Sequence, residues 1–350
     1  MLRYSYEGMN ISAGLAYQNY DLLGEFRGKG DSEVNGDVDR KFTNWIPHFS
    51  MNFSPFSNAY FNLSYTRNAN EPTIEDLQPI VNNLNPQYII EGNSALTPEI
   101  SNDFGMYFSK SYPLSGMRLN FSADVSLYDN QFSTTEIVDE FLVTRAQPIN
   151  VEGGSEVGFN AGFNFPIIKN KITTRLRFSG DVNNKRSFVN DFENNTESIT
   201  LRPYARLNIT PTEDIGLYLS ARVSFIDTRY DINISQNQKI RNETYTVEFT
   251  AKTFAEVFFN ANFDYKRFSN DRFNLDRDIP VLDLSVYRNL LKGNKGEIRL
   301  SLYDAFNRNL GFFSSDSFQS QNTAIGRYVM LSLTYNIRGV NNSAHKKGWW

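Results

Sequence analysis

A chain of 350 residues with a formal charge of -4 and no cysteine is long enough for one large all-β domain or for two ordinary ones. Without cysteine, disulfides, a thiolate nucleophile and Cys-ligated zinc are excluded. Lys and Arg do not cluster into a stripe and the balance is acidic, which excludes nucleic acid as a partner.

The chain opens on Met1-Leu2-Arg3-Tyr4-Ser5-Tyr6, which lacks the charged-then-apolar start of a signal peptide and goes straight into alternation. The next clear strand, Trp45 to Ser54, puts Trp45, Pro47, Phe49, Met51 and Phe53 on one face and His48 on the other. From Met117 to Asp129, Met117, Leu119, Phe121, Ala123, Val125 and Leu127 oppose Arg118, Asn120, Ser122, Asp124, Ser126 and Tyr128. The same split recurs from Lys171 to Asn183, from Ile199 to Ile209, from Val257 to Lys266 and in the last strand, Tyr328 to Arg338. Period two sustained over such lengths predicts strands with one greasy and one wet face. Many run to ten residues or more. Soluble strands are mostly about five or six residues, whereas a tilted membrane strand needs about 9–11. No run of about 18 apolar residues occurs, so no helix crosses a bilayer, a test that does not touch barrels.

The connections alternate in length. Short turns are expected at Glu7-Gly8-Met9, Ser54 to Asn58, Tyr112 to Gly116, Pro166 to Lys171, Thr210 to Asp214, Lys252 to Ala255 and Leu291 to Lys295. Between them lie long polar loops at Leu22 to Lys41, Asn68 to Glu99, Phe132 to Asn150, Lys185 to Glu197, Tyr230 to Asn242, Ser269 to Ile279 and Arg308 to Gly326. Short turns on one side and long loops on the other mark a transmembrane antiparallel up-and-down β-barrel. Trp45, Tyr65, Tyr107, Tyr128, Tyr218, Tyr265 and Tyr335 fall where an aromatic girdle would lie, although strand propensity explains any one of them. The count is about fifteen strands, the first descending from the loop side. Single-chain bacterial barrels have even numbers, so the chain is expected to enter partway through a barrel.

After the fourth strand come Arg67-Asn-Ala-Asn-Glu-Pro72-Thr-Ile-Glu-Asp-Leu77 and then Gly92-Asn93-Ser-Ala-Leu96-Thr-Pro98-Glu99. This pattern resembles the barrel of TonB-dependent receptors, most closely the Bacteroidetes branch of outer-membrane β-barrel proteins. The terminal strand, with Tyr328, Leu331, Leu333, Tyr335 and Ile337, is similar to the aromatic-rich strand read by the barrel-assembly machinery. The resemblance implies residence in outer-membrane lipid and about 22 strands, of which this chain would supply the later fifteen. It also implies a plug and a periplasmic energy-coupling protein that pulls on it; signal, plug and first strands are expected to be missing from this stretch. On this reading residues 1–338 are barrel and 339–350, ending His345-Lys-Lys-Gly-Trp349-Trp350, are a periplasmic tail.

Chemistry-bearing patterns are sparse. His48 and His345 are the two histidines, too few for a His-based metal cluster or a triad, and His48 reads as a lumen-facing polar residue. Asp124, Asp181, Glu248 and Asp264 share the polar face with Arg118, Arg175, Arg177, Arg202, Arg206, Arg222 and Arg299, as expected of a lumen that salt-bridges itself or grips a plug. Glu152-Gly153-Gly154-Ser155 precedes a strand and not a helix, so a strand-entry bend is expected there instead of a phosphate loop. No catalytic residue, cofactor or metal is expected. The expected function is energy-coupled uptake of a bulky nutrient such as a metal chelate, vitamin or glycan. The alternatives are a surface adhesion or assembly barrel and a passive pore. Loop residues Phe132, Phe141, Phe188, Phe192, Tyr230, Phe312, Phe313 and Phe318 are the candidate ligand contacts, since loops on a rigid scaffold carry function.

Overall fold

The structure, a computed structural model, describes residues 1–25, 37–232, 234–291, 295–309, 311–314, 319–321 and 325–335. Ile337 and the segment 339–350 lie outside the described residues. Strands β1 (Leu2–Tyr6), β2 (Met9–Gly24), β3 (Val38–Phe53) and β4 (Ala59–Asn70) are followed by helix α1 (Ile74–Leu77) and a hairpin of β5 (Val81–Asn85) and β6 (Tyr88–Glu91). Then come β7 (Glu99–Tyr112), β8 (Met117–Val138), β9 (Thr144–Val151), β10 (Ser155–Ile168), β11 (Ile172–Val189), β12 (Phe192–Thr212) and β13 (Ile215–Tyr230). The remainder is β14 (Gln238–Lys252), β15 (Val257–Asn270), β16 (Leu275–Leu290), β17 (Gly296–Tyr303), the small hairpin β18 (Phe312–Ser314) with β19 (Gln319–Gln321), and β20 (Tyr328–Tyr335).

Eighteen strands form one sheet. Leaving β5, β6 and β9 aside, fifteen of them run up and down as an antiparallel wall in chain order, β1 at one edge and β20 at the other. Each edge strand is paired on one flank among the described residues, so the sheet is not closed.

The register shows why the alternation is sustained. Ile172, Ile209, Leu217, Phe249, Ala261, Leu284, Leu302 and Val329 are successive cross-strand partners from β11 to β20. One residue along, Thr173, Asn208, Tyr218, Glu248, Asn262 and Asp283 form the next row, on the opposite face. A slip of one residue would exchange the two faces, so the pattern itself pins the pairing. His48 lies on the polar face opposite Gly14. A Cβ on Gly14 would come within 2.1 Å of the imidazole, so the glycine is what leaves room for that ring.

The first six short turns fall where the sequence places them, and residues 292–294 of the seventh, Leu291 to Lys295, lie outside the described residues; at Glu7 (φ 40°) and Gly8 (φ 82°) the left-handed backbone makes a primed hairpin turn. The long connections differ. Lys185 to Glu197 and Ser269 to Ile279 are not loops: β11 and β12 pair up to Val189 and Phe192 around a turn of Asn190 (φ 49°) and Asp191 (φ 66°), and β15 and β16 pair up to Asn270 and Leu275. Of Tyr230 to Asn242, residues 238–242 belong to β14, and Ile234–Gln236 form a short 3-10 turn. Above the apolar band both faces of a hairpin meet water, so period two disappears from the composition while the ladder continues.

The upper edge of the apolar band is abrupt. On the apolar face, Ile199 is followed two residues on by Glu197, Phe225 by Asp227, Tyr245 by Glu243, Tyr265 by Arg267 and Pro280 by Asp278. The Tyr245 hydroxyl donates to Glu243 (2.8 Å) and that of Tyr265 to Asp278 (2.9 Å), each ring in the band and each oxygen at its edge. Tyr65 repeats the arrangement, donating to Asn102 at 3.0 Å, and Trp45 packs on Tyr17 with centroids 4.9 Å apart. Tyr107, Tyr128 and Tyr218, expected in the girdle, stand on the polar face: Tyr107 pairs with Asn62 and Ser122, Tyr218 with Asn208 and Glu248, and Tyr128 has the parity of Asp124 and Ser126. Parity, not nearness to a strand end, decides the face.

Val247 lies mid-band between Leu219 and Phe263, whereas Thr246 faces the other way and donates to Asp264 at 2.6 Å. Val247→Arg should cost about 2–4 kcal/mol in lipid and reduce the heat-modifiable folded form, while Thr246→Arg should assemble normally. Equal folding of the two would refute the assignment of faces.

Candidate functional site

The connection between β4 and β7 folds into a small core of its own. Thr73 caps α1: its hydroxyl accepts from the Asp76 amide (3.2 Å) while the Asp76 carboxylate accepts from the Thr73 amide (3.2 Å), a reciprocal capping box. The helix buries Leu77, which is 0 % exposed, against Leu96 (1 %) and Val38 (6 %), with Leu22 and Phe132 around them. At Gly92 the chain passes so close to the helix end that a Cβ would meet the Gln78 carbonyl oxygen at 2.0 Å, and the Asn93 amide then donates to the Asp76 carbonyl at 2.6 Å. Only a residue without a side chain fits there.

Polar side chains fasten this core to the wall. Asn93 donates to the Pro148 carbonyl (2.9 Å) and accepts from the Ala95 amide (2.9 Å). Arg40 donates to the carbonyls of Ser94 and, at 3.2 Å, Leu96. Asn150 exchanges hydrogen bonds with the Thr97 backbone (2.8 and 2.9 Å), and Asn130 donates to the Pro98 carbonyl (2.8 Å). Glu99 accepts from the Phe132 amide (2.9 Å) and from Asn70 (3.2 Å). Arg67 pairs with Asp129 at 3.4 Å. The motif residues Pro72, Leu77, Gly92, Leu96 and Pro98 are all buried, with Arg67, Asn93 and Glu99 at their margin.

The neighbouring connections join in. Residues 131–138 of β8 rise above the wall and pair with β9, whose other flank pairs with β6. The tip of β11 pairs with β8 at Phe188 and Thr135, and the Asn190 amide donates to the Glu136 carbonyl at 2.8 Å. The segments read as separate loops at Asn68 to Glu99, Phe132 to Asn150 and Lys185 to Glu197 are therefore one continuous β-structured cap. The Tyr88 hydroxyl donates to Glu136 at 3.1 Å; its partial burial and then that carboxylate push its pKa above the usual tyrosine value, so it stays a donor. Gly153 (φ 82°) and Gly154 (φ 114°) are the bend where the chain leaves β9 and enters β10, as expected of a strand entry.

The candidate ligand contacts whose side chains are described, which leaves out Phe312 and Phe313, do not converge. Phe132 is packed into the small core, Phe141 (79 % exposed) stands at the β8–β9 turn and Phe192 (70 %) at the β11–β12 tip. Phe188 and Tyr230 are half-buried; Phe318 lies outside the described residues. Of the expected lumen charges, Arg202 pairs with Asp181, and Arg299 pairs with Glu297 (2.8 Å) under Tyr287, 4.0 Å from its ring centre. Among the described residues no cluster of three or more potential metal ligands occurs. The anchoring roles of Arg40, Asn130, Asn150 and Gln147, which donates to the Gly92 carbonyl at 3.3 Å, escape sequence reading, because isolated polar residues in loops carry no periodic signal.

Gly92→Ala should force the 73–98 segment off α1 at a cost of about 1–3 kcal/mol, the usual range for overpacking. Faster amide exchange over 73–98, with unchanged heat-modifiable mobility of the wall, is the expected result; unchanged exchange would show that the close approach is not required.

A family model described as the outer membrane protein beta-barrel family matches residues 1–220. No curated protein matches the chain. With the two-faced antiparallel wall and its sharp band edge already established, the matched share is enough to decide the matter: the chain belongs to the outer membrane protein β-barrel family and resides in the bacterial outer membrane.

Proposed function

We propose that the chain is part of a TonB-dependent receptor that takes up a bulky nutrient, a metal chelate, vitamin or glycan, by energy-coupled transport and without catalysis. The observation that carries the reading is the small core over one end of the wall, in which Leu77 packs with Leu96, Gly92 lies against the end of α1 and Asn93 and Pro98 are hydrogen-bonded to neighbouring strands, so that three connections join into one cap. Such a cap suits capture of a large ligand above a polar lumen, whereas a passive pore requires nothing of the kind. On this reading the cap faces outside, about 22 strands close the barrel around a plug, the plug meets a periplasmic energy-coupling protein, and β20 is read by the barrel-assembly machinery.

The orientation is directly testable because the chain has no cysteine. Asp191→Cys in the cap should react with an impermeant maleimide on intact cells, and Glu213→Cys in the opposite turn should react only after lysis; the reverse pattern inverts the topology. For function, cells lacking the gene should lose uptake of one among ferric chelates, cobalamin and oligosaccharides, and dissipating the proton gradient in wild-type cells should abolish the same uptake. Uptake that survives de-energisation would point to a passive pore. Intact uptake of all three classes, with lost surface attachment, would point to an adhesion barrel.

A further inference from the structure

On the apolar face, two clefts meet on β12 and β13, the lower extending to β16 and the upper to β10. The lower, of about 640 Å³, sits on the band edge: its floor is Ile199, Leu201 and Phe225, and its rim includes Lys239 and Arg241. Above it on the shared strands β12 and β13, and reaching across to β10, is a polar cleft of about 600 Å³ lined by Ser155, Asn184, Arg186, Asn195 and Arg229 together with the carboxylates of Glu197 and Asp231. The register makes them contiguous. Val182, Ile199, Asp227 and Lys239 form one cross-strand row, and the next row on that face is Ser155, Asn184, Glu197 and Arg229. Arg186, partnered by Asn195, follows. The groove thus runs from apolar to polar in the direction that leaves the membrane.

We propose that this groove binds a phosphorylated glycolipid of the surrounding leaflet. The order of its chemistry matches such an amphiphile: acyl chains against Leu201 and Phe225, sugar hydroxyls against the amides of Asn184 and Asn195, and phosphate at Arg186 and Arg229. Guanidinium groups suit phosphate because they present forked donors. Arg186 pairs with the exposed Glu193 at 3.5 Å, and the exposed Arg229 guanidinium donates twice, at 2.9 and 3.3 Å, to the half-buried Asp227. Ion pairs of that kind contribute little in water, so a phosphate can displace them. Where glycolipid is confined to the outer leaflet, the site also rests on the cap facing outside; the maleimide labelling tests that point separately from binding.

The test uses the full chain, delipidated in detergent and titrated with bisphosphorylated lipid A while bound lipid is followed by native mass spectrometry. The Arg186→Gln/Arg229→Gln double variant should bind at least about tenfold more weakly, the loss of two charge-assisted contacts, and Asn184→Ala/Asn195→Ala should also weaken binding. Arg202→Gln, on the opposite face, should bind as wild type, and heat-modifiable mobility should show every variant folded. Phosphatidylglycerol, phosphatidylethanolamine and dephosphorylated lipid A should all bind more weakly than the bisphosphorylated form. Undiminished binding by both double variants, or equal binding of any of the three comparison lipids, overturns the proposal.

Discussion

In hydrocarbon there is no water to satisfy a peptide group, so every backbone N–H and C=O that crosses the band must be paired by another strand. Nearly everything else in this molecule depends on that requirement. It makes the strands long, sets them in an unbroken antiparallel ladder from β1 to β20, and by doing so forces side chains to alternate between two solvents. Once pairing is obligatory, the only freedom left to a residue is which face it occupies. That is why Leu219, Val247 and Phe263 can follow one another across three strands while Glu248 and Asn262, one step along, meet on the other side.

The same requirement ends where water begins. At the band edge the apolar face changes within two residues from Tyr245 to Glu243 and from Tyr265 to Arg267, and ion pairs take over: Lys41 with Asp21 (3.6 Å), Arg67 with Asp129 (3.4 Å), Arg267 with Asp276 (2.9 Å). Singly, such exposed pairs contribute little to stability. Their significance lies in placement, since a charge at that height fixes how deeply the strand can sit and the tyrosine hydroxyls beneath mark the same level from within.

What was legible in the sequence is what the membrane dictates. The two faces, the short turns and a wall of about fifteen strands follow from period two and from Gly and Asn at the turns, because lipid tolerates no departure from alternation. The motif around Gly92 was legible as a pattern of residues, yet its meaning required coordinates: nothing in the letters says that Gly92 lies against the Gln78 carbonyl or that Leu77 meets Leu96. The extent of β11 and β12 was misread for a physical reason. Arg186, Ser187, Asn194 and Asn195 are polar on both faces, so composition suggested a loop where the backbone continues as paired strand.

One further consequence comes from the 22 residues of β8. Its lower part is flanked by β7 and β10, and its upper part by β9 and the tip of β11, so a single uninterrupted strand belongs first to the wall and then to the cap. Between these two parts lies a one-residue bulge at Asp129, where the register with β7 shifts, but no break in the strand. A load applied to the cap is therefore carried by peptide bonds and ladder hydrogen bonds straight into the membrane-spanning sheet, as along a mast stepped through a deck, and the cap cannot swing open or shut as a lid without bending the wall beneath it.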